Sequence, residues 1–428
     1  MSQHKSAAYC DIEQNGMESM DVYKKIRRTG LKQALRSVLY RLAIPSNKLL
    51  YSVFKAFKLH ENLIVFESEG DFSDNSYAFY NYLKNHPKYN QKYRFVWAVE
   101  DVRKARVNSH TIVINKKPCF IDFRRSYYLA TCKFFIFDHF NLLSEYNKRS
   151  ETRIINLFHG AGFKASKGDE HVARSPADIN FTTGQLFYEG SCQVFHCTRD
   201  AILDIGYSRN DYLFAHSKEV EDTIDKILRI NKYKKKYLWM PTFRTSKIVS
   251  LDEDIFTSQT GLPIIDTVPL LEDFNQYLVD NNSVCVFKLH HLQAELESFN
   301  RSYSNIVLLR DEAISEHGLQ LYQIVASFDC LITDYSSIAT DYMLLNRPII
   351  YTVDDYEEYQ KSRGFWLEDP IKYFAGHCVR NAEEFYAAVK EVDSGIDKYD
   401  EMRKELLPLY HTHADGKTSE RIAKYLGL

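Results

Sequence analysis

Residues 329–345 read DCLITDYSSIATDYMLL, and the fold is decided there. Cys330–Thr333 is a short apolar run of the kind a strand buried on both faces requires. Asp334 follows at its carboxyl end, and Ser336 and Ser337 then open a helix over Ser337–Leu345. The unpaired N–H groups of a helix start, with two hydroxyls beside them, form a place for an anion. Ser is also a frequent helix cap. The two uses are compatible, so strand, polar turn and helix together predict a ligand-facing edge of an α/β sheet.

Working outward, the same alternation recurs on both sides. Towards the N-terminus, strands are predicted at Asn62–Phe66, Arg94–Val99, Thr111–Ile114, Lys133–Phe137, Ile154–Phe158 and Asp178–Thr182, with helices such as Ser76–Asn85 and Phe120–Ala130 between them. Around the opening motif the strands are Lys236–Met240, Ser283–Leu289, Ile306–Leu309 and Pro348–Tyr351, with helices at Leu270–Asn281, Gln320–Ala326 and Ala382–Asp393. Two such series predict two doubly wound α/β domains. The charged segment Lys218–Lys235 is the expected boundary. The chain thus divides into an N-terminal segment 1–60, domains 61–215 and 216–398, and a helical tail 399–428 that packs across both.

Open α/β sheets bind ligands beyond the carboxyl ends of their strands, so polar residues at those ends are the candidates. In Ile154–Lys167, IINLFHGAGFKASK, His159 leaves a strand and enters a turn containing Gly160 and Gly162. Glycines let a ligand approach the backbone closely, and an imidazole titrates in the range a general base needs. Thr242 and Arg244 follow the strand Lys236–Met240. Lys288 and His290 share one face at the end of Ser283–Leu289. Arg, Lys and His on one rim make a cationic cradle suited to a diphosphate leaving group, without a bound metal.

Charge and composition narrow the rest. A net charge of −2 does not suggest nucleic-acid binding. The eight Cys form no CxxC pair and no zinc spacing, which fits reduced thiols. No leader peptide and no membrane-spanning run are expected. Between Val22 and His60 there is no Asp or Glu, yet Lys24, Lys25, Arg27, Arg28, Lys32, Arg36 and Arg41 are followed by three further lysines. Leu31, Leu35, Val38 and Leu42 repeat at helical spacing, and a second helix is expected from Ser46 after Pro45. A basic helix with an apolar stripe suits the headgroup region of an anionic leaflet. The alternative is a basic helical hairpin packed on its own domain.

At these motifs the sequence resembles the CDP-glycerol glycerophosphotransferase family, which builds teichoic acids and related capsule polymers. The similarity runs from residue 60 to 400, beginning at IVFESEGDFSDNSYAFYNYLKNHPKYNQKYRFVWAV and passing through YYLATCKFFIFDHF and IGYSRNDYLF. It is densest in LITDYSSIATDYMLLNRPIIYTVDDYEEYQKSRGFWLED, where the pattern L-I-T-D-Y-S-S … D-Y … R-P … R-G-F stands almost without gaps. The resemblance implies two facing Rossmann-like domains of the GT-B type, with the donor held mainly by the second. It puts the catalytic base on His159 and a second functional histidine on His290. It matches the family's donor-phosphate Asp and Ser residues to Asp334, Ser336 and Ser337 and its P-T-F-R to Pro241–Arg244, so that Thr242, Arg244 and the strand-end Lys288 fall in the expected donor site, and it puts an acceptor-side loop on Gly160, Gly162 and Lys164.

The implied reaction takes polyol phosphate from CDP-glycerol or CDP-ribitol to a growing, lipid-linked surface polymer and releases CMP. CDP-polyol is the donor substrate, no cofactor is tightly bound and no divalent metal is required by the motifs. Partners would be an anionic membrane surface and other wall or capsule enzymes, at the cytoplasmic face of a bacterial membrane. Two departures stand out. The family's Thr-Pro after His-Gly is Ala161-Gly162 here, and the Pro before Arg209 is Ser208. The competing readings are a glycosyltransferase of the same fold using a nucleotide sugar, and a membrane scaffold without turnover.

Overall fold

A computed structural model describes residues 31–103, 105, 107, 110–117, 120–139, 141–165, 176–215, 217–242, 258–289, 294, 296–299 and 301–428. Among the described residues the chain forms two wholly parallel sheets, one of seven strands and one of six. The first has seven strands: β1 (His60–Glu67), β2 (Arg94–Val99), β3 (Thr111–Asn115), β4 (Cys132–Phe137), β5 (Arg153–Asn156), β6 (Ile179–Phe181) and β7 (Ile202–Leu203), in the order β3-β2-β1-β4-β5-β6-β7. The second has six: β8 (Lys235–Met240), β9 (Ser283–Phe287), β10 (Ile306–Leu308), β11 (Cys330–Thr333), β12 (Ile349–Thr352) and β13 (His377–Val379), in the order β10-β9-β8-β11-β12-β13.

Both orders start mid-sheet, run to one edge, and return to the other side of the first strand. The strand order therefore reverses between β1 and β4 in one sheet and between β8 and β11 in the other. Parallel strands covered on both faces read as unbroken apolar runs. Leu63–Phe66, Tyr237–Trp239 and Cys330–Ile332 are accordingly buried throughout. Behind the first sheet, Tyr51, Leu129, Ala130 and Phe135 belong to one core; behind the second, Phe274, Phe385 and Val389 belong to another. A third core is common to both sheets and includes Phe163, Tyr335, Tyr351, Phe374 and Tyr410.

β2 and β11 match the sequence reading to the residue, whereas β5 and β9 end two residues early, at Asn156 and Phe287. The early exit of β5 frees the backbone that carries His159. Lys218–Leu228 is not a plain connector but a helix, capped by Ser217 and buried at Ile224 and Leu228. The expected break at Pro45 does not occur. One helix runs Leu31–Phe54 through Pro45, with Ala43, Asn47 and Tyr51 buried on one face. Asn47 makes the crossing specific: its amide donates to the Phe120 carbonyl (3.0 Å) and its oxygen accepts from the Asp122 N–H (3.0 Å). No helix among the described residues is long and apolar enough to cross a membrane. The tail, with helices Asp400–Tyr410 and Thr418–Leu426, touches both halves. His411 Nε2 donates to the Thr340 carbonyl (2.8 Å), while the Thr418 and Ser419 N–H groups donate to Asp211 (both 2.8 Å).

Candidate active site

The two reversal points face one cleft, and their residues differ in kind. At the first, Asp138 and His139 leave β4 beside the start of the Asp74–Asn85 helix. The buried Asp138 carboxylate accepts from the Ser76 N–H (2.8 Å) and pairs with His139 Nδ1 (2.8 Å). His139 Nε2 faces Glu69 (3.2 Å), so each ring nitrogen meets a carboxylate and both donate. Burial opposes the charged ring, but the hydrogen bond to Asp138 and the charges of Asp138, Asp74 and Glu69 outweigh it. The pKa of His139 is pushed up to about 9.

His159 lies on His139, with ring centroids 4.2 Å apart and planes 15° from parallel. Its Nδ1 is 3.1 Å from the Asp138 carbonyl oxygen. A carbonyl only accepts, so Nδ1 carries the hydrogen and Nε2 the lone pair. Burial and then the His139 cation drive the pKa of His159 down to about 3, against the pull of Asp74. Its titration is thus carried below the near-neutral range expected from the sequence, and at neutral pH His159 is a neutral proton acceptor.

The turn carrying it is held under strain. Phe158 sits at φ 57°, fixed by its N–H to Asn156 Oδ1 (2.9 Å) and by the Asn75 amide on its carbonyl (2.7 Å). Non-glycine residues occupy that region only where their surroundings impose it. Gly160 follows at φ 146°, and a Cβ there would come within 2.4 Å of Ser337 Oγ. At Gly162 the Ser337 Cβ would be 3.4 Å away. Glycine lets the His159 turn lie directly on Ser337.

The second reversal point supplies hydrogen-bond donors. Asp334, after β11, accepts from the N–H (2.9 Å) and hydroxyl (2.6 Å) of Thr242, after β8. Lys164, from the His159 turn, donates to the Thr242 hydroxyl (2.9 Å). Asp334 is buried and thus acts on its surroundings through Thr242. Ser337 begins the Ile338–Tyr342 helix, which continues as a 3-10 turn over Met343–Leu345, and its side chain makes no capping bond.

Further contacts join the halves. Arg209 reaches Asp74 (2.7 Å) with one nitrogen and Asp341 (2.8 Å) with another. Asn210 (2.8 Å) and the Tyr322 hydroxyl also donate to Asp341. Residues 162–165 pair with 364–366: the Trp366 indole donates to the Gly162 carbonyl (2.7 Å), the Trp366 N–H to Phe163 (3.1 Å) and the Ala165 N–H to Gly364 (3.0 Å), around an antiparallel Lys164–Phe365 bridge.

The structure thus brings His159, Gly160, Gly162, Lys164, Thr242, Asp334 and Ser337 together, with Ser336 beside Ser337. Lys288 is held by Asp311 (3.1 Å). Arg244, His290, Lys24, Lys25, Arg27 and Arg28 lie outside the described residues. Lys32, Arg36 and Arg41 fall on the Leu31–Phe54 helix, where Arg41 is exposed. Sequence reasoning missed Asp74, Asp138, His139 and Arg209 as site residues. The same signal that singled out His159 was available for Asp138 and His139, which directly follow an apolar strand.

A sequence model of the CDP-glycerol:poly(glycerophosphate) glycerophosphotransferase family matches residues 49–427. The teichoic acid ribitol-phosphate primase of Bacillus spizizenii is 28% identical over 325 residues, covering 70% of this chain and 76% of that protein. The teichoic acid glycerol-phosphate transferase of Staphylococcus aureus is 26% identical over 403 residues, covering 87% and 96%. Among solved structures, a variant of the wall teichoic acid polymerase TagF superposes with a TM-score of 0.73 at 20% identity, covering 96% of this chain and 98% of that one. That likeness establishes a shared two-sheet α/β fold.

Proposed function

The chain belongs to the CDP-glycerol:poly(glycerophosphate) glycerophosphotransferase family, and from that premise we propose how its cleft works. It is a transferase that moves polyol phosphate, glycerol or ribitol phosphate, from a CDP-polyol to a growing surface polymer and releases CMP. Its relatives bear the names of glycerol- and ribitol-phosphate enzymes of teichoic acid synthesis, and TagF has been solved with CDPG soaked in. The division of labour is 61–215 for the acceptor and 216–398 for the donor, with segment 1–60 at the membrane and tail 399–428 bracing both.

In this reading His159 Nε2 takes the proton of a terminal hydroxyl on the acceptor. That oxygen attacks the phosphorus bearing the polyol, in line, and the bond from that phosphorus to the CMP oxygen breaks. CMP leaves with its charge met by donors at the second reversal point, Thr242, Ser336 and Ser337, with Arg244, Lys288 and His290 completing the cradle and Lys164 reaching Thr242 from the acceptor-side loop. Asp334 fixes Thr242 for that task. One observation carries the reading: the ring whose Nε2 is left with a lone pair sits on a glycine turn in contact with Ser337, so base and donor helix adjoin.

The acceptor is proposed to be lipid-linked and the enzyme to work at the cytoplasmic face of the membrane. Leu39, Leu42, Leu49 and Val53 stand exposed along the Leu31–Phe54 helix, and Phe120, Ile121 and Phe123 are exposed near the Asn47 crossing. Apolar side chains and the neighbouring basic segment suit an anionic leaflet. The catalytic reading is tested by His159→Ala, following CMP release from CDP-glycerol and from CDP-ribitol. Loss of about 100-fold or more is expected for a general base. Turnover near that of the parent protein would remove His159 from the role.

A further inference from the structure

We propose that His139, held between Asp138 and Glu69 and stacked face to face on His159, is a positioning residue that fixes the ring of the base and keeps it in its neutral, proton-accepting form. The proposal rests on the reading of His159 as the base and adds a residue that neither the motifs nor the comparisons single out.

The geometry gives His139 two tasks. Its ring covers one face of His159 at 4.2 Å and 15°, so the His159 plane cannot tilt without losing that contact. Because both His139 nitrogens meet carboxylates, the ring is a cation, and that charge lies against His159 in a buried place where it is poorly screened. A second positive charge on His159 is then strongly disfavoured. A base that stays unprotonated is ready at each turnover, and a proton it has accepted is passed on instead of being retained.

Other charged groups surround the pair. Asp74, at the start of the Asp74–Asn85 helix, acts on both rings and favours their charged forms. Arg209 acts on His159 in the same sense as His139 but more weakly. Glu67, at the end of β1, is pushed up to about 7 by burial, with Lys116 pulling it back; Lys116 is itself paired with Asp71 (3.1 Å). Of all these groups, only His139 is in ring contact with His159 and carries a positive charge there.

The test uses the full-length chain with histidine labelled at carbon ε1. The His159 signal is assigned by its loss in His159→Gln and titrated in His139→Gln, His139→Phe and His139→Arg. Gln and Phe remove the charge, and Phe preserves an aromatic face. Arg restores a cation between the two carboxylates, and three variants guard against one that fails to fold. In Gln and Phe the His159 midpoint should rise by about 1–3 units, the size of effect an adjacent charge exerts. The acid limb of the kcat/KM profile for CMP release should rise with it, while Arg stays near the parent protein. An unmoved midpoint in Gln and Phe, or an equal rise in Arg, overturns the proposal. Loss of turnover in His159→Ala beside an unmoved midpoint overturns this proposal alone. Retained turnover in His159→Ala overturns the base reading and, with it, the role given to His139.

Discussion

The two sheets share a topology and carry opposite chemistry at the same place. Beyond β1 and β4 the chain sets Glu69, Asp138, His139 and His159, ionisable groups in contact with one another, with Asp74 acting on both rings. Beyond β8 and β11 it sets Thr242, Ser336 and Ser337, hydroxyls around one carboxylate that already accepts from Thr242. On the function proposed above, the difference follows from what each half would bind. A proton acceptor is tuned by fixed charges close to it, so the first half gathers them. A diphosphate is repelled by open carboxylates, so the second half offers donors and keeps Asp334 occupied and buried. A common fold thus leaves the task to the residues that follow each strand.

That contrast can be broken most severely where the halves meet. Arg209→Ala leaves Asp74 and Asp341 facing each other's side of the interface with no shared cation. Removing one partner of a buried ion pair costs about 3–5 kcal/mol, so denaturant unfolding should show a loss of that order. A change below about 1 kcal/mol would mean that the halves are held by other contacts. Gly160→Ala is the next test. At φ 146° with Ser337 Oγ 2.4 Å from the added carbon, the turn or the helix start must move. Strain of about 1–3 kcal/mol and a fall in kcat are expected, whereas Gly162→Ala, at 3.4 Å from Ser337 Cβ, should be milder. Thr242→Val is the mildest. It removes the hydroxyl between Lys164 and Asp334 while the backbone N–H still serves Asp334, and about 1 kcal/mol of stability should be lost. Its kinetic mark should be a fall in kcat for CMP release, because the lost hydroxyl meets charge that develops on the leaving group. A raised KM for CDP-glycerol with kcat unchanged would leave Thr242 a role in ground-state donor binding alone.

Much of this was legible in advance, for one physical reason. Strands covered on both faces are apolar throughout, so β2, β8 and β11 could be bounded within a residue from the sequence alone. The three-residue β6 and β10 were still read, but the two-residue β7 and the half-buried β13, which opens on His377, leave no such run, and Ile202–Leu203 and His377–Val379 went unseen. Pro45 misled because a local rule was applied to a helix that tertiary packing of Ala43, Asn47 and Tyr51 carries past it. At the site, single strand-end residues were readable one by one, but relations between them were not. Asp138 and His139 stood after a predicted strand as plainly as His159 did. Only the folded chain shows the rings stacked, or Arg209 reaching Asp74 and Asp341, which lie 135 residues before it and 132 after it.

The pairing of residues 162–165 with 364–366 bears on how the two halves can part. By sequence the His159 turn belongs to the first sheet; by its hydrogen bonds it belongs equally to the second. Any separation of the two halves must either break those bonds or draw the turn away from the Asp138 carbonyl that orients the base. In the first case the donor site opens without its base beside it, and in the second the base loses its anchor. In the proposed mechanism an open cleft is therefore an unarmed one, because the base and the donor helix adjoin only while these bonds hold the two halves together.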